Sequence, residues 1–222
     1  MSPNRRKFSA MLGAMLAAAP AAGAMPSNDK PQSSRIVVDG EPIISEFERR
    51  RRHEDSRTWA EGYTEGELDT AQARYDLVFP PDLVALLRER RPVLGYDWRS
   101  DDAAIREILA WPLEGLLFDV ENSALWWPEW GDRPAKAEER AEIVGHVVAQ
   151  APKLIPLIGH RYLPSEPHEA GNPVFSVYQS DVIYYGANLA DYFERELLDP
   201  RRPLPDHIRR IRFWSELVDR NG

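Results

Sequence analysis

Residues 173–186 have the sequence PVFSVYQSDVIYYG, and this stretch decides the fold. Two short runs rich in β-branched and aromatic residues, which favour strands, flank Gln179, Ser180 and Asp181. The pattern predicts a β-hairpin with a three-residue turn. It is the most strand-like part of the chain.

Helix patterns lie on both sides of this hairpin. After it, Asn188 is an N-cap residue, and apolar residues follow on one helical face. Before it, Thr64 and Glu67 form a capping box that begins one helix. A second helix is predicted in FPPDLVALLRER (79–90), where Pro81 suits the first turn.

Between these helices and the hairpin, the sequence predicts both helices and strands. A third helix is predicted at about 100–111, ending there because Pro112 disfavours a helical residue before it. LEGLLFDVEN (113–122) and KLIPLIG (153–159) are predicted as strands. A helix rich in Ala, Ile and Val is predicted between them, at about 136–150.

The order of these elements predicts the fold class. Helices come first, strands follow, and helices close the chain, which is typical of an α+β domain. We therefore expect N-terminal helices, a mainly antiparallel sheet and C-terminal helices. The last helix is predicted at 206–218, and its apolar side consists of Ile208, Ile211, Trp214, Leu217 and Val218.

The first 24 residues have the three parts of a secretory signal: a positive segment, an apolar run of small residues and a small-residue cleavage site. The positive segment resembles the twin-arginine export motif, so we expect an exported or periplasmic protein. If Met25 is the true start, the protein is instead cytoplasmic. The residues that carry the signal are Arg5, Arg6, Phe8, Ala22 and Ala24.

The organisation that follows has four parts. The signal peptide is succeeded by a linker that contains a short hairpin around Asp39-Gly40 and a charged segment, EFERRRRHED. The main domain begins at the capping box of Thr64, and a Pro-rich linker precedes the last helix. The predicted boundaries are 1–24, 25–63, 64–198 and 199–222.

Composition limits the classes of partner and cofactor. The net charge is −8, and removal of the signal gives −11, which argues against a nucleic-acid partner. The absence of cysteine excludes disulfides and thiolate metal sites. We find no glycine-rich phosphate loop and expect no cofactor. The apolar run of the signal is too short and too rich in Ala and Gly for a membrane span, so we expect no integral membrane segment after its removal.

Metal-binding patterns are weak. None of the five histidines forms an H-E-x-x-H motif. His160 and His168 can in principle share a metal with Glu166 or Glu169, but histidines and acids in loops are usually polar surface. We therefore assign no metal ligand.

Catalytic patterns are also weak. There is no G-x-S-x-G elbow for a nucleophilic serine. A pair of carboxylates for glycosidic cleavage is conceivable near residue 120, yet acids are so abundant that their proximity in sequence means little. We assign no catalytic residue; the acids in question are Asp119, Glu121 and Glu129.

Two stretches contain candidate binding residues. ENSALWWPEWGDRP (121–134) places three tryptophans within five residues, which can form a platform for a sugar, a peptide or a partner protein, or can fill the core. LIGHRYLP (157–164) groups His, Arg and Tyr at the predicted end of a strand, where Arg161 can pair with Glu166 or Asp181. The candidates are Trp126, Trp127, Glu129, Trp130, His160, Arg161, Tyr162 and Asp181.

The chain resembles the SUKH superfamily, specifically its bacterial Smi/Knr-type domains. The resemblance covers about 64–198 and is carried, in this order, by YDLVFPPDLVALL, LEGLLFDVENSALWWPEWGDRP, LIPLIGHRYLP and GNPVFSVYQSDVIYYGANLADYFERE. It implies an α+β domain without common catalytic residues or cofactor. Many bacterial members look like immunity proteins that neutralise toxins, and fungal relatives act as interaction hubs. Toxin-neutralising members are mostly cytosolic, whereas this chain carries an export signal.

Three hypotheses follow. The first is a non-enzymatic, exported SUKH-type domain that binds another protein, a basic toxin or an envelope protein, as immunity against that toxin. The second is a cell-envelope module that binds glycan or peptide through the region Trp126–Trp130. The third is a hydrolase that uses His160 and a nearby carboxylate, although no nucleophile, base and oxyanion donor can be named together.

Overall fold

Most of the described residues surround one four-stranded antiparallel sheet. The computed structural model describes residues 58–221 and the two short strands at 37–38 and 41–42. The residues of the predicted signal and the charged segment 46–55 lie outside the described residues. The fold is α+β with helices at both ends of the described region, as the order of sequence patterns predicted.

The described elements are short, apart from one long helix. The strands are β1 (Val37–Val38), β2 (Glu41–Pro42), β3 (Trp59–Glu61), β4 (Arg90–Pro92), β5 (Leu154–Pro156), β6 (Arg161–Pro164), β7 (Val174–Tyr178) and β8 (Asp181–Gly186). The helices are α1 (Glu65–Tyr75), α2 (Pro81–Glu89), α3 (Ala103–Asn122), α4 (Ala137–Ala149), α5 (Leu189–Leu197) and α6 (Trp214–Asn221), with a 3₁₀ turn at Pro128–Trp130.

Local signals for three helix starts are confirmed. The Thr64 side chain accepts a hydrogen bond from the Glu67 N–H while the Glu67 carboxylate accepts one from the Thr64 N–H, which completes the capping box of α1. Asn188 Oδ1 accepts from the Asp191 N–H at the start of α5. Helix α2 begins at Pro81, whose missing N–H costs nothing in the first turn.

Strands β5 to β8 follow one another as an antiparallel meander, and helices cover both faces of the sheet. One face carries Leu163 and Val174, which share a hydrophobic core with side chains of α1, α2 and α5. The opposite face carries Tyr162, Phe175 and Tyr184, which are neighbours in register. The hydroxyl groups of the two tyrosines bind the other helices: Tyr162 donates to the Ile108 carbonyl in α3, and Tyr184 donates to Ser215 Oγ in α6.

Strands β1 and β2 form the hairpin predicted around Asp39-Gly40. Strand β3 lies before the predicted domain start at Thr64 and pairs with β4, with Trp59 opposite Pro92. The folded region therefore includes residues that the sequence patterns assigned to the linker. Three residues are too few to show the two-residue period of a strand.

The prediction that a helix ends at Trp111 and a strand follows at 113–122 is wrong. Helix α3 continues through Pro112 to Asn122. A proline inside a helix costs about 3 kcal/mol or more, so tertiary burial must offset it. The buried residues recur at helical spacing along α3 and press it against the sheet; they include Ile105, Ile108, Leu116 and Val120.

The turn of the β7–β8 hairpin has two residues and not the predicted three. Tyr178 pairs directly with Asp181, which leaves Gln179 and Ser180 in the turn. Gln179 has φ of 60°, in the left-handed region. A buried carboxylate of α3, that of Asp119, accepts hydrogen bonds from both the N–H and the hydroxyl of Ser180 and thereby holds this tight turn.

The last helix begins later than predicted. The predicted helix 206–218 corresponds to α6, which starts at Trp214 and runs to Asn221. Residues 206–213 are not helical because neighbouring groups hold them in place: the Ile211 N–H donates to Ser215 Oγ, and Arg209 donates to the Ala170 carbonyl. Ile211 and Trp214 are buried as their apolar pattern predicted.

Candidate functional site

Three tryptophans lie on the 3₁₀ turn between α3 and α4 and contact one another. The rings of Trp126 and Trp130 are perpendicular, with centroids 5.4 Å apart, and both are partly exposed. Trp127 is buried, stacks on Trp130 at 5.0 Å and contacts Phe213 at 5.5 Å. The cluster thus has one core member and two surface members, where the sequence left core packing and a binding platform open.

The turn itself is rigidly held. Trp126 Nε1 donates a 2.8 Å hydrogen bond to the Gly131 carbonyl, and the Trp130 N–H donates to the Trp127 carbonyl. Gly131 has φ of 84°, a conformation that favours glycine. Because the Trp126 indole is hydrogen-bonded to the turn and the Trp130 ring packs on Trp127, both rings present aromatic surface at little further cost in side-chain entropy.

Helix α6 adds a cation to this cluster. The guanidinium of Arg220 lies 3.9 Å from the centroid of the Trp127 ring, and its Nη2 lies 2.8 Å from Oε1 of Glu129. A hydrogen bond from the Glu129 backbone and the hydrogen bond from Arg220 lower the pKa of the Glu129 carboxyl. We call Trp126, Glu129, Trp130 and Arg220 together the tryptophan surface.

The tip of the β7–β8 hairpin adjoins the tryptophan surface through the end of α6. Asn221 Nδ2 donates to the carbonyls of Ser180 and Val182, at 2.7 and 3.4 Å. Asp181 is exposed beside this contact. The structure therefore brings Asp181 to the same end of the molecule as the tryptophans, through residues that are consecutive with Arg220.

The other candidate stretch, LIGHRYLP, forms a separate polar cluster between the sheet and α5. Arg161 Nη1 donates to Ser176 Oγ at 2.8 Å and contacts His160 Nε2. The same guanidinium lies 3.7 Å above the Tyr185 ring, and its Nε is 3.7 Å from Oε2 of Glu196. Ser176 is buried and the other members are half-buried, and their contacts join β6, β7 and α5.

The expected partners of Arg161 are wrong. Arg161 pairs in register with Ser176, and its side chain reaches Glu196 on α5. Glu166 instead lies in the exposed loop after β6, and Asp181 lies at the hairpin turn. Proximity in sequence suggested these two acids, whereas the partner lies 35 residues away on a helix packed against the sheet.

Neither His160 nor Tyr162 is arranged as a contact or catalytic residue. Burial, with a smaller contribution from the positive charge of Arg161, lowers the pKa of His160 to about 4, so its imidazole is neutral at pH 7. Tyr162 is fully buried, and its hydroxyl donates to the Ile108 carbonyl at 2.8 Å. Both residues are structural parts of the fold.

The acids considered for glycosidic cleavage have internal partners. Asp119 accepts from Ser180, Glu121 pairs with Arg140 at 2.5 Å, and Glu129 pairs with Arg220. The side chains of Glu121 and Glu129 are 39% and 64% exposed, whereas that of Arg140 is 11% exposed. The two ion pairs join α3 to α4 and the turn to α6. These three carboxylates do not face one common position at which a substrate could bind.

The histidines considered for a metal also point to different places. His168 lies 3.1 Å from the Phe79 carbonyl through its Nε2, whereas His160 contacts Arg161. Within 58–221 and the two short strands, no three His, Asp or Glu side chains form a group that could hold a metal ion.

None of the helices in that part of the chain is both long and apolar enough to cross a bilayer.

The chain matches no protein-family model, no curated protein and no solved structure.

The sequence did not indicate several residues that shape this end of the molecule. Arg220 is 91 residues from Glu129, and nothing in the pattern of α6 predicts that contact. Two hairpin side chains are also unexpectedly exposed: Ile183 at 46% and Tyr178 at 37%. Alternation along β8 was a usable signal for Ile183, because residues 181 and 183 lie on the same side of the strand.

Proposed function

We propose that this chain is a non-enzymatic, exported protein-binding domain of the SUKH type that neutralises a toxin. The observation that carries the proposal is the pair of partly exposed, perpendicular tryptophans on a rigid turn, Trp126 and Trp130. Tryptophan and arginine are enriched among the residues that dominate the energy of protein interfaces. The tryptophan surface contains both.

The charges around the pair suit an interface with a protein. Glu129 and Arg220 form a polar rim beside the two indoles, which is the usual anatomy of an interface with an aromatic centre. The chain carries a net charge of −8, or −11 without its signal, so a basic toxin or a basic envelope protein would be attracted over a distance.

A binding role is also supported by the hydrogen bonds that the candidate catalytic side chains make within the fold. Ser176 accepts from Arg161, Ser180 donates to Asp119, and His160 lies against Arg161. A hydrolase needs a nucleophile, a base and an oxyanion donor around one open position. Here these side chains contribute hydrogen bonds to the fold.

Affinity capture from the native envelope tests the proposal. The wild-type chain should recover one partner protein at stoichiometric yield, and the double variant Trp126→Ala/Trp130→Ala should not. Leu94→Ala is the matched control, because Leu94 is an apolar residue that is 60% exposed on the turn after β4. Equal recovery by the double variant and the wild type would contradict the proposed surface.

The immunity role requires one more measurement. If the captured partner is a toxin, one equivalent of the purified wild-type chain should abolish its activity, and the double variant should not protect. An active toxin in the saturated complex would remove the immunity role while leaving protein binding intact.

The partly exposed indoles also favour the second function, binding of envelope glycan or peptide, since sugars and peptides stack on tryptophan. Sedimentation with purified peptidoglycan separates the two functions. Retention of the wild-type chain and loss of the double variant would support the glycan or peptide module. Absence of sedimentation for both proteins would leave the protein partner as the function of this surface.

A further inference from the structure

Within the molecule, Arg220 already places one cation against the tryptophan cluster. Arg220 stacks on Trp127 at 3.9 Å, and its guanidinium meets the Glu129 carboxylate at 2.8 Å. An aromatic face combined with a carboxylate is the pattern that binds arginine and lysine side chains, because the ring quadrupole and the negative charge attract the same ligand.

The remaining groups of the surface offer the same chemistry to a ligand. Trp126 and Trp130 meet at 89° in an edge contact, and both rings are partly exposed. The only hydrogen-bond donor of the Trp126 ring is used by the Gly131 carbonyl, so that ring presents its π system and not its N–H. Glu129 at one side is 64% exposed at its side chain, and Asp132 follows on the same loop and is exposed.

We propose that the tryptophan surface recognises an arginine or lysine side chain of a basic partner protein, and that Arg220 occupies the cation position until the partner binds. This inference rests on the proposed function, since it names the chemistry by which that surface selects its partner. Charge complementarity favours this occupant, because the chain has a net charge of −8 and the surface combines the Glu129 carboxylate with aromatic rings.

Arg220 is placed where a partner's basic side chain can displace it. It belongs to the last turn of α6, and 39% of its side chain is exposed. Exposed ion pairs contribute little to stability, so displacement of Arg220 by a partner's guanidinium exchanges one contact for a similar one. The Arg220 contact thereby excludes single, weakly bound cations. A partner that brings several arginine or lysine side chains can displace it.

The probe for the test is a blocked hexa-arginine peptide, and hexa-citrulline is its uncharged control of the same shape. Binding to the full chain is followed by the indole N–H signals of the tryptophans in NMR spectra, at low salt and at 0.5 M salt. Single Trp→Phe variants assign these signals. We expect hexa-arginine to shift the signals of Trp126 and Trp130 at low salt. Hexa-citrulline should leave them unchanged, since it lacks the charge that cation–π binding needs.

Three variants locate the cation position. Glu129→Gln should weaken hexa-arginine binding about fivefold, whereas Glu65→Gln removes the same charge from an exposed site on α1 and should change binding less than twofold. Arg220→Gln should strengthen binding about threefold to fivefold, because it removes the internal competitor. Circular dichroism before each titration confirms that the variants are folded.

Some results would overturn the inference. Equal binding of hexa-citrulline would show that charge is not recognised, and equal loss in Glu65→Gln and Glu129→Gln would show a general electrostatic effect. Unchanged binding in Arg220→Gln would remove the competition by Arg220. If the natural partner depends on Trp126 and Trp130 but not on Glu129 or on its own basic residues, this inference falls while the proposed function stands.

Discussion

Ser180 Oγ donates a 2.6 Å hydrogen bond to Oδ2 of Asp119, a buried carboxylate that lies 61 residues earlier in the chain. The Ser180 N–H donates to the same oxygen at 3.0 Å, and Ser123 Oγ donates to the other at 3.2 Å. One side chain of α3 thus holds the turn of the hairpin. The tip of that hairpin in turn carries the carbonyls that Asn221 contacts beside the tryptophan surface.

The first prediction concerns this carboxylate. Asp119→Ala should lower the free energy of unfolding by about 2–3 kcal/mol, because it leaves the Ser180 N–H and hydroxyl without their acceptor. Ser180→Ala should cost about 1 kcal/mol, since only one hydrogen bond is lost. Urea denaturation measures both. Asp132→Ala, on an exposed loop, is the control and should change stability by less than about 0.5 kcal/mol. A cost for Asp119→Ala no greater than that of the control would refute the role of Asp119 in the turn.

The close approach of α3 to the hairpin gives the second prediction. A Cβ added at Gly115 would lie 2.8 Å from the Gln179 Cα, which is backbone and cannot move aside alone. Gly115→Ala should therefore destabilise the protein by about 1–3 kcal/mol, although alanine is the better helix former. Gly145→Ala in α4 is the matched control: nothing lies within 4 Å of its added Cβ, so stability should rise by about 0.5–1 kcal/mol. Thermal unfolding of the two variants should shift in opposite directions, and a shift in the same direction would contradict the packing described for α3.

The same contacts explain what the sequence could and could not predict. Thr64, Pro81 and Asn188 act on residues within three or four positions, so their patterns identified helix starts correctly. Pro112 carries a local signal for a helix end, but burial of α3 against the sheet is a tertiary effect that overrides it. The pairs Asp119–Ser180 and Glu129–Arg220 join residues 61 and 91 positions apart, and no periodicity in a single sequence encodes them.

The third prediction concerns pH. The folded pKa of His160 is lowered to about 4 from an ordinary value of 6.5, mainly by burial, so the unfolded chain binds more protons than the folded chain between these values. Stability linked to His160 is therefore complete above pH 6.5 and is lost as the pH falls from 6.5 toward 4. We expect this loss to be on the order of 1–2 kcal/mol, since solvent reaches part of the ring.

His160→Gln removes this contribution and keeps a polar side chain. Urea denaturation between pH 4 and 7 should therefore show a shallower decline in the variant than in the wild type. Carboxylates titrate near the lower end of this range in both proteins, so the informative quantity is the difference between the two curves. Parallel curves for wild type and variant would contradict the buried, neutral state of His160.

The fourth prediction separates the core member of the tryptophan cluster from its surface members. Trp127 is 6% exposed and packs on Trp130 and Phe213, so Trp127→Ala should cost about 3–5 kcal/mol of unfolding free energy. Trp126→Ala removes a partly exposed ring and should cost only about 1 kcal/mol, chiefly through its contact with Trp130. Urea denaturation at pH 7 provides both values.

This difference decides which variant can test binding. If Trp126→Ala loses the envelope partner while its unfolding curve stays close to that of the wild type, the loss comes from the surface and not from the fold. Trp127→Ala should lose the partner only to the extent that it unfolds the protein, because the Trp127 ring is buried beneath the Arg220 guanidinium. Equal destabilisation by Trp126→Ala and Trp127→Ala would mean that Trp126 also acts as core, and loss of the partner by Trp126→Ala would then not identify a binding surface.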